Sequence, residues 1–595
     1  MARNKFDVDE RLESPFKMAH LKRSLKYIRK HRWKMLLALL LSCTASIAGL
    51  FGPKLMQWSM DDAIPNRDVN LLVRLALIYI FVIIISIIFT TIRASIMARV
   101  SQDIIYDIRH DLFAHLQRLS FSYYDSRPAG KILVRVINYV NAVANMLSDG
   151  IINSILEIIN IIFIIVFMFS TNVTLSWIIV AGLPVFVAVI FLIKPKQRRA
   201  WQQVSNKSSN YNAYLAESID GVRVSQLFTR QDINIGIFER LAAACRKTWM
   251  KAVIITHTVG VSAELMTQIV FTLMYIAGVY WLGGAIVSFG VILAMGQYVS
   301  RFWQPIINLA NIYNMFINNI AYLERIFETM DEPVTVDDIP GAIELPPIRG
   351  NVEFLDVSFG YEPGIPVLEN INFSVEEGES IALVGATGAG KTTIVNLVSR
   401  FYNLTGGKII FDGEHEISRV TLRSLRSQMG IMMQDSFIFS GTVIENIRYG
   451  RLDATDEEVV AAAKAVRAHD FIIEMEKGYY TETNERGSSL SAGQKQLISF
   501  ARTLLADPRI LILDEATSSI DTKTERLLQE GIRALLKGRT SFIIAHRLST
   551  IKNCDRIFYI GEKSIIESGS HPELMEQKGQ YYRLYTSQMH GQGVV

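Results

Sequence analysis

Four long stretches of this chain carry no charge: Met35 to Pro53, Leu75 to Ile92, Ile158 to Ile193 and Leu265 to Ser300. A bilayer crossing needs about 20 mostly apolar residues. Hydrocarbon offers the backbone no hydrogen-bond partner but itself, so such segments cross as helices or closed barrels. The third and fourth stretches are each long enough for nearly two crossings. Six helical spans are therefore expected, near 35–56, 72–95, 150–170, 174–193, 260–282 and 288–310, with the last continuing beyond the membrane. Buried helices of a soluble core account for one such run but not for the series.

Charge orients the block. Residues 1–34 are crowded with bases, among them Lys17, Lys22, Arg23, Lys26, Arg29, Lys30, Arg32 and Lys34. Leu21, Leu25 and Ile28 share a helical face there, which suits an amphipathic helix lying on the membrane surface. Bases also fill 96–149 and 194–258 but are sparse in the short connections near 57–70, 170–173 and 283–288. The positive-inside tendency then puts both termini and both long segments in the cytoplasm. Each long segment has a break where a short crossing helix fits, at Ser122 to Pro128 and at Ile219 to Arg223. Glu157, Gln268, Arg301 and Gln304 fall inside the expected spans, where a polar group faces the bundle interior or a wet cavity rather than lipid. Pairing between helices and contact with a substrate both explain them. Pro184 and Pro305 are candidate kinks.

At 595 residues more than one domain is expected, and a net charge of +4 argues for no nucleic-acid partner. Cys43, Cys245 and Cys554 are few and far apart, which suits core packing rather than a metal site. No removable signal peptide is expected. Asp331 to Gly350 holds four prolines among acids and reads as a linker. The expected domains are 1–34, an amphipathic segment; 35–330, the membrane block; 331–349, the linker; 350–585, a second domain, which the glycine loop described next makes nucleotide-binding; and 586–595, a tail. From 350 on, short β-rich runs alternate with helical stretches, the pattern of an α/β domain with a parallel sheet.

Chemistry gathers in this second half. Gly385-Ala386-Thr387-Gly388-Ala389-Gly390-Lys391-Thr392-Thr393 fits G-x-x-x-x-G-K-[ST], between an apolar strand (Ser380 to Val384) and a helical run. The glycines let successive N–H groups face a polyphosphate at the positive end of a new helix. Lys391 is placed to reach the β- and γ-phosphates, and Thr392 to hold Mg²⁺. A second apolar strand, Arg509 to Leu513, ends in Asp514 and Glu515. The first suits a Mg²⁺ anchor and the second a general base for the attacking water. Ser491, Gly493 and Gln494 open a helix after a Gly/Ser loop, another N-terminus suited to phosphate. His546 ends the apolar strand Ile543 to Ala545, within range of a γ-phosphate. Gln434 follows Ile431 to Met433 and can sense metal or water. Tyr361 can stack an adenine. Singly, several of these would read as ordinary core or turn residues.

Taken in order, these residues resemble the ATP-binding cassette (ABC) family: an aromatic Tyr361, Walker A (Gly385 to Thr393), Gln434, the signature Leu490 to Gln494, Walker B with Asp514 and Glu515, the D-loop Ser518 to Asp521, and His546. With the six-span block before them, the likeness is to a half-transporter of the multidrug-exporter type over nearly the whole chain. It implies an ATP hydrolase using ATP and Mg²⁺, with Gln434 and His546 beside the base Glu515, and Asp521 near nucleotide. It implies two cassettes closing head to tail around two ATP molecules, so that a second chain is required. The breaks near 122–128 and 219–223 resemble coupling helices, and Thr483 to Gly487 resembles the exporter X-loop. Two departures stand out: Ala492 where the signature usually has Gly, and Asn484 where the X-loop usually has Gly. Because the signature serves the partner's ATP, Ala492 favours pairing with a different chain, with a homodimer still open. The expected activity is export of hydrophobic or amphipathic compounds across the plasma membrane. A lipid or lipid-conjugate flippase, a metal-chelate importer and an ATP-gated channel remain as alternatives.

Overall fold

A computed structural model describes residues 18–127, 129–278, 287–433, 436–515, 522–545 and 548–592. The chain divides into two compact units, one made of Met1–Leu116 with Gly130–Asp331 and the other of Gln117–Ala129 with Glu332–Val595.

The first unit is helical. After α1 (Met18–Arg29) come α2 (Arg32–Trp58) and α3 (Val69–Leu116), then α4 (Phe121–Asp125), which belongs to the other unit. A run broken by π-turns follows, α5 (Ala129–Val134), α6 (Val140–Asn145) and α7 (Ile151–Thr171). Next come α8 (Val173–Asp220), α9 (Val222–Leu227), α10 (Gln231–Ile276) and α11 (Phe289–Met330). Five of these stretches are long and apolar enough to cross a membrane: Arg32–Ala63, Val69–Leu116, Ala129–Thr171, Val173–Asp220 and Gln231–Ile276. The sixth expected span is the first half of α11, which is helical but not among the five. Gln297, Arg301, Gln304 and Asn308 dilute its apolar character. That helix works from the inside: Tyr298, Phe302 and Trp303 are fully buried, with Trp303 set edge-on to Phe186 of α8 at 4.9 Å. Small residues allow the approach, since a Cβ on Gly296 would strike the ring of Phe271 on α10. By contrast α3 turns Leu77, Ile80, Phe81, Ile84 and Ile87 outward, as a helix bathed in lipid does.

The α1 face that packs inward is not the apolar one. Ser24, Tyr27 and His31 are buried, whereas Leu25 is exposed. Ion pairs dock the helix and its continuation, Lys30 to Asp107 at 2.8 Å, Lys34 to Asp103 at 3.0 Å and Arg23 to Asp331 at 2.6 Å. The exposed Leu25 suits a membrane surface. Of the four polar residues inside the expected spans, two pair across helices and two along their own. Glu157 accepts from Asn308 on α11, and Arg301 donates to the Gly49 carbonyl on α2 at 2.8 Å. Gln268 bonds Glu264, and Gln304 bonds Asn308, one turn away in each case.

The second unit holds β1 (Val352–Phe359), β2 (Leu368–Val375), β3 (Ser380–Val384), β4 (Gly406–Phe411), β5 (His415–Glu416) and β6 (Met429–Met432). It continues with β7 (Gly441–Thr442), β8 (Glu482–Thr483), β9 (Ile510–Glu515), β10 (Thr540–Ala545), β11 (Arg556–Gly561) and β12 (Ser564–Gly569). Besides the expected parallel sheet there is an antiparallel one, in the order β2-β1-β4-β5, in which short links join β1 to β2 and β4 to β5. The main sheet runs β12-β11-β3-β10-β9-β6, parallel from β11 to β6 with β12 antiparallel at the edge. Its central strands carry unbroken apolar runs because both faces are covered. Alternation divides them between two cores. Ile381, Leu383, Ile512 and Ile544 go to one, and Ala382, Val384, Leu513 and Ile543 to the other.

Candidate functional site

Register brings the chemistry to one edge. In the parallel sheet Leu383 lies beside Ile544, Ile544 beside Asp514, and Leu513 beside Met432. The carboxyl ends of β3, β10, β9 and β6 therefore lie side by side along one edge of the sheet, where open α/β sheets bind ligands. From β3 emerges the glycine loop, and Asp514 and Glu515 end β9. His546 follows β10 and Gln434 follows β6, but both lie outside the described residues, as do Asp521 and the rest of 516–521.

The loop is built by backbone geometry that side chains would spoil. Gly385 has φ +142°, and a Cβ there would run into the Ile560 carbonyl of β11. Gly390, at φ +104°, caps the helix α12 (Lys391–Val398), and its Cβ would meet Leu368 at 2.8 Å. Gly388, also left-handed at φ +82°, has open space around it. Thr387 lies between these glycines in the same loop. Lys391 is buried, and its ammonium donates to the carbonyls of Gly385 and Ala386 at 2.9 and 2.8 Å. Burial pushes its pKa below 10.5, while the carboxylate of Asp514 pulls it back up. Walker A and Walker B thus act on one another electrostatically. Thr392 is exposed beside them with its hydroxyl available, whereas Thr393 is buried and shares a hydrogen bond of 3.2 Å with Tyr361.

Tyr361 is half-exposed, set edge-on to Phe359 at 4.9 Å and to Tyr402 at 5.1 Å. Tyr402 was not evident from the sequence, where it is one aromatic among many. Its hydroxyl donates to Asp125 of α4. Burial, then that hydrogen bond, raise its pKa. The first break segment is fastened at further points of the same unit. Phe121 packs on Phe401 at 4.4 Å, Arg118 pairs with Asp337 at 2.9 Å, and Thr335 donates to Ser120 at 2.7 Å.

The signature forms the start of the helix Ala492–Ala506. Ser491 caps it and Gln494 answers, Gln494 N donating to the Ser491 hydroxyl at 3.2 Å and Ser491 N to Gln494 Oε1 at 2.9 Å. Gly493 is buried and Ala492 exposed, so the extra methyl group disturbs nothing within this chain. These residues sit at a helix N-terminus as expected, on a different element from the loop at β3. Asn484 begins the X-loop turn, in which Arg486 and Gly487 are left-handed. Among the described residues no cluster of histidine, cysteine and carboxylates is arranged to hold a metal, and all three cysteines are free.

Comparison with known proteins agrees with this geometry. The ABC transporter transmembrane region model matches residues 35–306, and the ABC transporter model matches 368–518. The ABC transporter ATP-binding protein YknV of Bacillus subtilis (strain 168) is 40% identical over 98% of this chain and 97% of its own length. The ATP-dependent lipid A-core flippase of Syntrophus aciditrophicus (strain SB) is 33% identical over 99% of this chain and 98% of its own. A solved structure of a bacterial Atm1-family ABC exporter with ATP bound superposes with a TM-score of 0.76 at 28% identity, covering 94% of this chain and 98% of that one. With a helical membrane block, a P-loop and a Walker B strand in one polypeptide, the chain belongs to the ABC transporter family, as a multi-pass membrane protein that binds ATP and couples its hydrolysis to transport.

Proposed function

We propose that the chain exports hydrophobic or amphipathic compounds across the plasma membrane, as one half of a two-cassette dimer with its termini in the cytoplasm. The observation that carries this reading is the placing of the glycine loop and of Asp514 and Glu515 at the ends of the two strands that flank β10, in a chain with five bilayer-length helices among its described residues. Lys391, with Gly385, Thr387, Gly388 and Gly390 around it, binds the phosphates, and Tyr361 stacks the adenine. Glu515 takes the proton of the attacking water, with His546 and Gln434 beside it. Thr392 and Asp514 are oxygen donors suited to a hard cation, with Gln434 as a further ligand, so the site fits Mg²⁺. Bound there, Mg²⁺ would neutralise phosphate charge. Ser491, Gly493, Gln494 and Asp521 face the ATP held by a second chain, a different one being favoured by Ala492.

The test is transport in sealed vesicles. An exporter accumulates a fluorescent amphiphile against its gradient when ATP is supplied, and the Glu515→Gln variant does not. Equilibration without accumulation would refute pumping. Lipid flipping is the second reading, favoured by the identity to the lipid A-core flippase. It requires ATP-dependent movement of a labelled lipid between leaflets.

A further inference from the structure

Several polar side chains of the membrane block gather in one place. A cavity of about 540 Å³ opens between α2, α3, α7 and α11, and Arg93, Asn153, Glu157, Asn160 and Asn308 all face it. Arg93 donates through one Nη to Asn153 Oδ1 at 3.2 Å. Its Nε is buried and has no hydrogen-bond partner among the described residues. Glu157 accepts from Asn308 Nδ2 at 2.7 Å and from Asn160 Nδ2 at 3.5 Å.

Charges of opposite sign in a low-dielectric wall ordinarily neutralise each other, since each alone is costly there. Arg93 and Glu157 do not pair with each other; neutral amides hold both. An amide orients a charge without cancelling it. Asn153, which holds the guanidinium, and Glu157 are one turn apart on α7, about 6 Å by helix geometry. The wall thus presents a cationic and an anionic group a short span apart, and only one of the guanidinium N–H groups has a hydrogen-bond acceptor among the described residues.

We infer that this cavity takes the head group of a zwitterionic amphiphile. Its acidic group, phosphate or carboxylate, sits on Arg93 and its ammonium on Glu157. The assignment rests on the transport reading above, whose cargo it narrows. A purely hydrophobic cargo leaves both charges uncompensated, and a purely anionic one leaves a carboxylate facing it.

Thermal unfolding of the full chain in detergent tests this, because a ligand that binds the folded state raises the melting temperature with its concentration. The probes are lysophosphatidylethanolamine, the anionic lysophosphatidylglycerol and the cationic dodecyltrimethylammonium, each read as the concentration giving half the maximal shift. The zwitterion is expected to act at the lowest concentration. Arg93→Gln should raise that concentration by about ten- to a hundredfold, the loss of one hydrogen bond to a charged group. Arg93→Lys should recover most of it. Glu157→Gln should remove the preference for the zwitterion over lysophosphatidylglycerol. An ATP-induced shift retained in each variant shows that it is folded. No discrimination among the three probes, or an Arg93→Gln response equal to wild type, overturns the head-group assignment while the ATP shift leaves the transport reading standing. Absence of an ATP shift in the wild-type chain overturns both.

Discussion

Lys391 occupies its own loop, bonded to two carbonyls of the turn proposed to hold phosphate. Its desolvated ammonium is a strong reason for an anion to enter. Lys391→Ala should weaken ATP binding by about ten- to a hundredfold, the worth of a hydrogen bond to a charged group. Titration with a fluorescent ATP analogue checks this, and unchanged affinity would refute the phosphate contact. Glu515→Gln should behave differently, retaining bound ATP while hydrolysis falls by about 10² to 10⁴-fold, the usual contribution of a general base. Phosphate release measured beside nucleotide retention separates the two variants. The loop residues were legible in the sequence because the turn admits few side chains. Tyr402 was not, since nothing local announces that it meets Tyr361 on one side and Asp125 on the other.

At the scale of elements, three helix starts in the second unit carry capping boxes closed by a glutamate, Thr442 with Glu445, Thr455 with Glu458 and Ser570 with Glu573. In each, the backbone N–H of the cap residue, reinforced by side-chain hydrogen bonds, holds the glutamate below its ordinary value of 4.5. The unfolded chain binds those protons more readily, so the stabilisation is complete above 4.5 and is lost as pH falls through the depressed values. A chain with all three changed to Gln should show a flatter fall of melting temperature with acid than wild type, and parallel curves would sink the argument. In the membrane block the tight crossing is at Gly296. Gly296→Leu has no room against Phe271 and should destabilise by about 1–3 kcal/mol, seen as a lower melting temperature in detergent. The membrane helices were legible from uncharged length alone. The inward role of α11 was not, because Arg301 and Asn308 serve partners on other helices that no periodicity encodes. Arg93 escaped notice for a related reason, standing one residue past an uncharged run whose end is hard to place.

For the whole molecule, one cassette per chain makes the partner decisive. Purified alone in lipid nanodiscs, this chain is expected to show weak ATPase activity and to gain it with a second, different half-transporter. Native mass and phosphate release read together decide. A robustly active dimer of identical chains would establish the homodimer and make Ala492 a harmless variant. The architecture also sets a mechanical scale. α3 runs for 48 residues with no proline inside it, a rod of about 72 Å. Tilting such a rod by about 5° carries its far tip about 6 Å, by simple leverage on that length. Its stiffness is then a gear ratio, and a glycine inserted anywhere along the shaft would introduce backlash, spending nucleotide while moving little cargo.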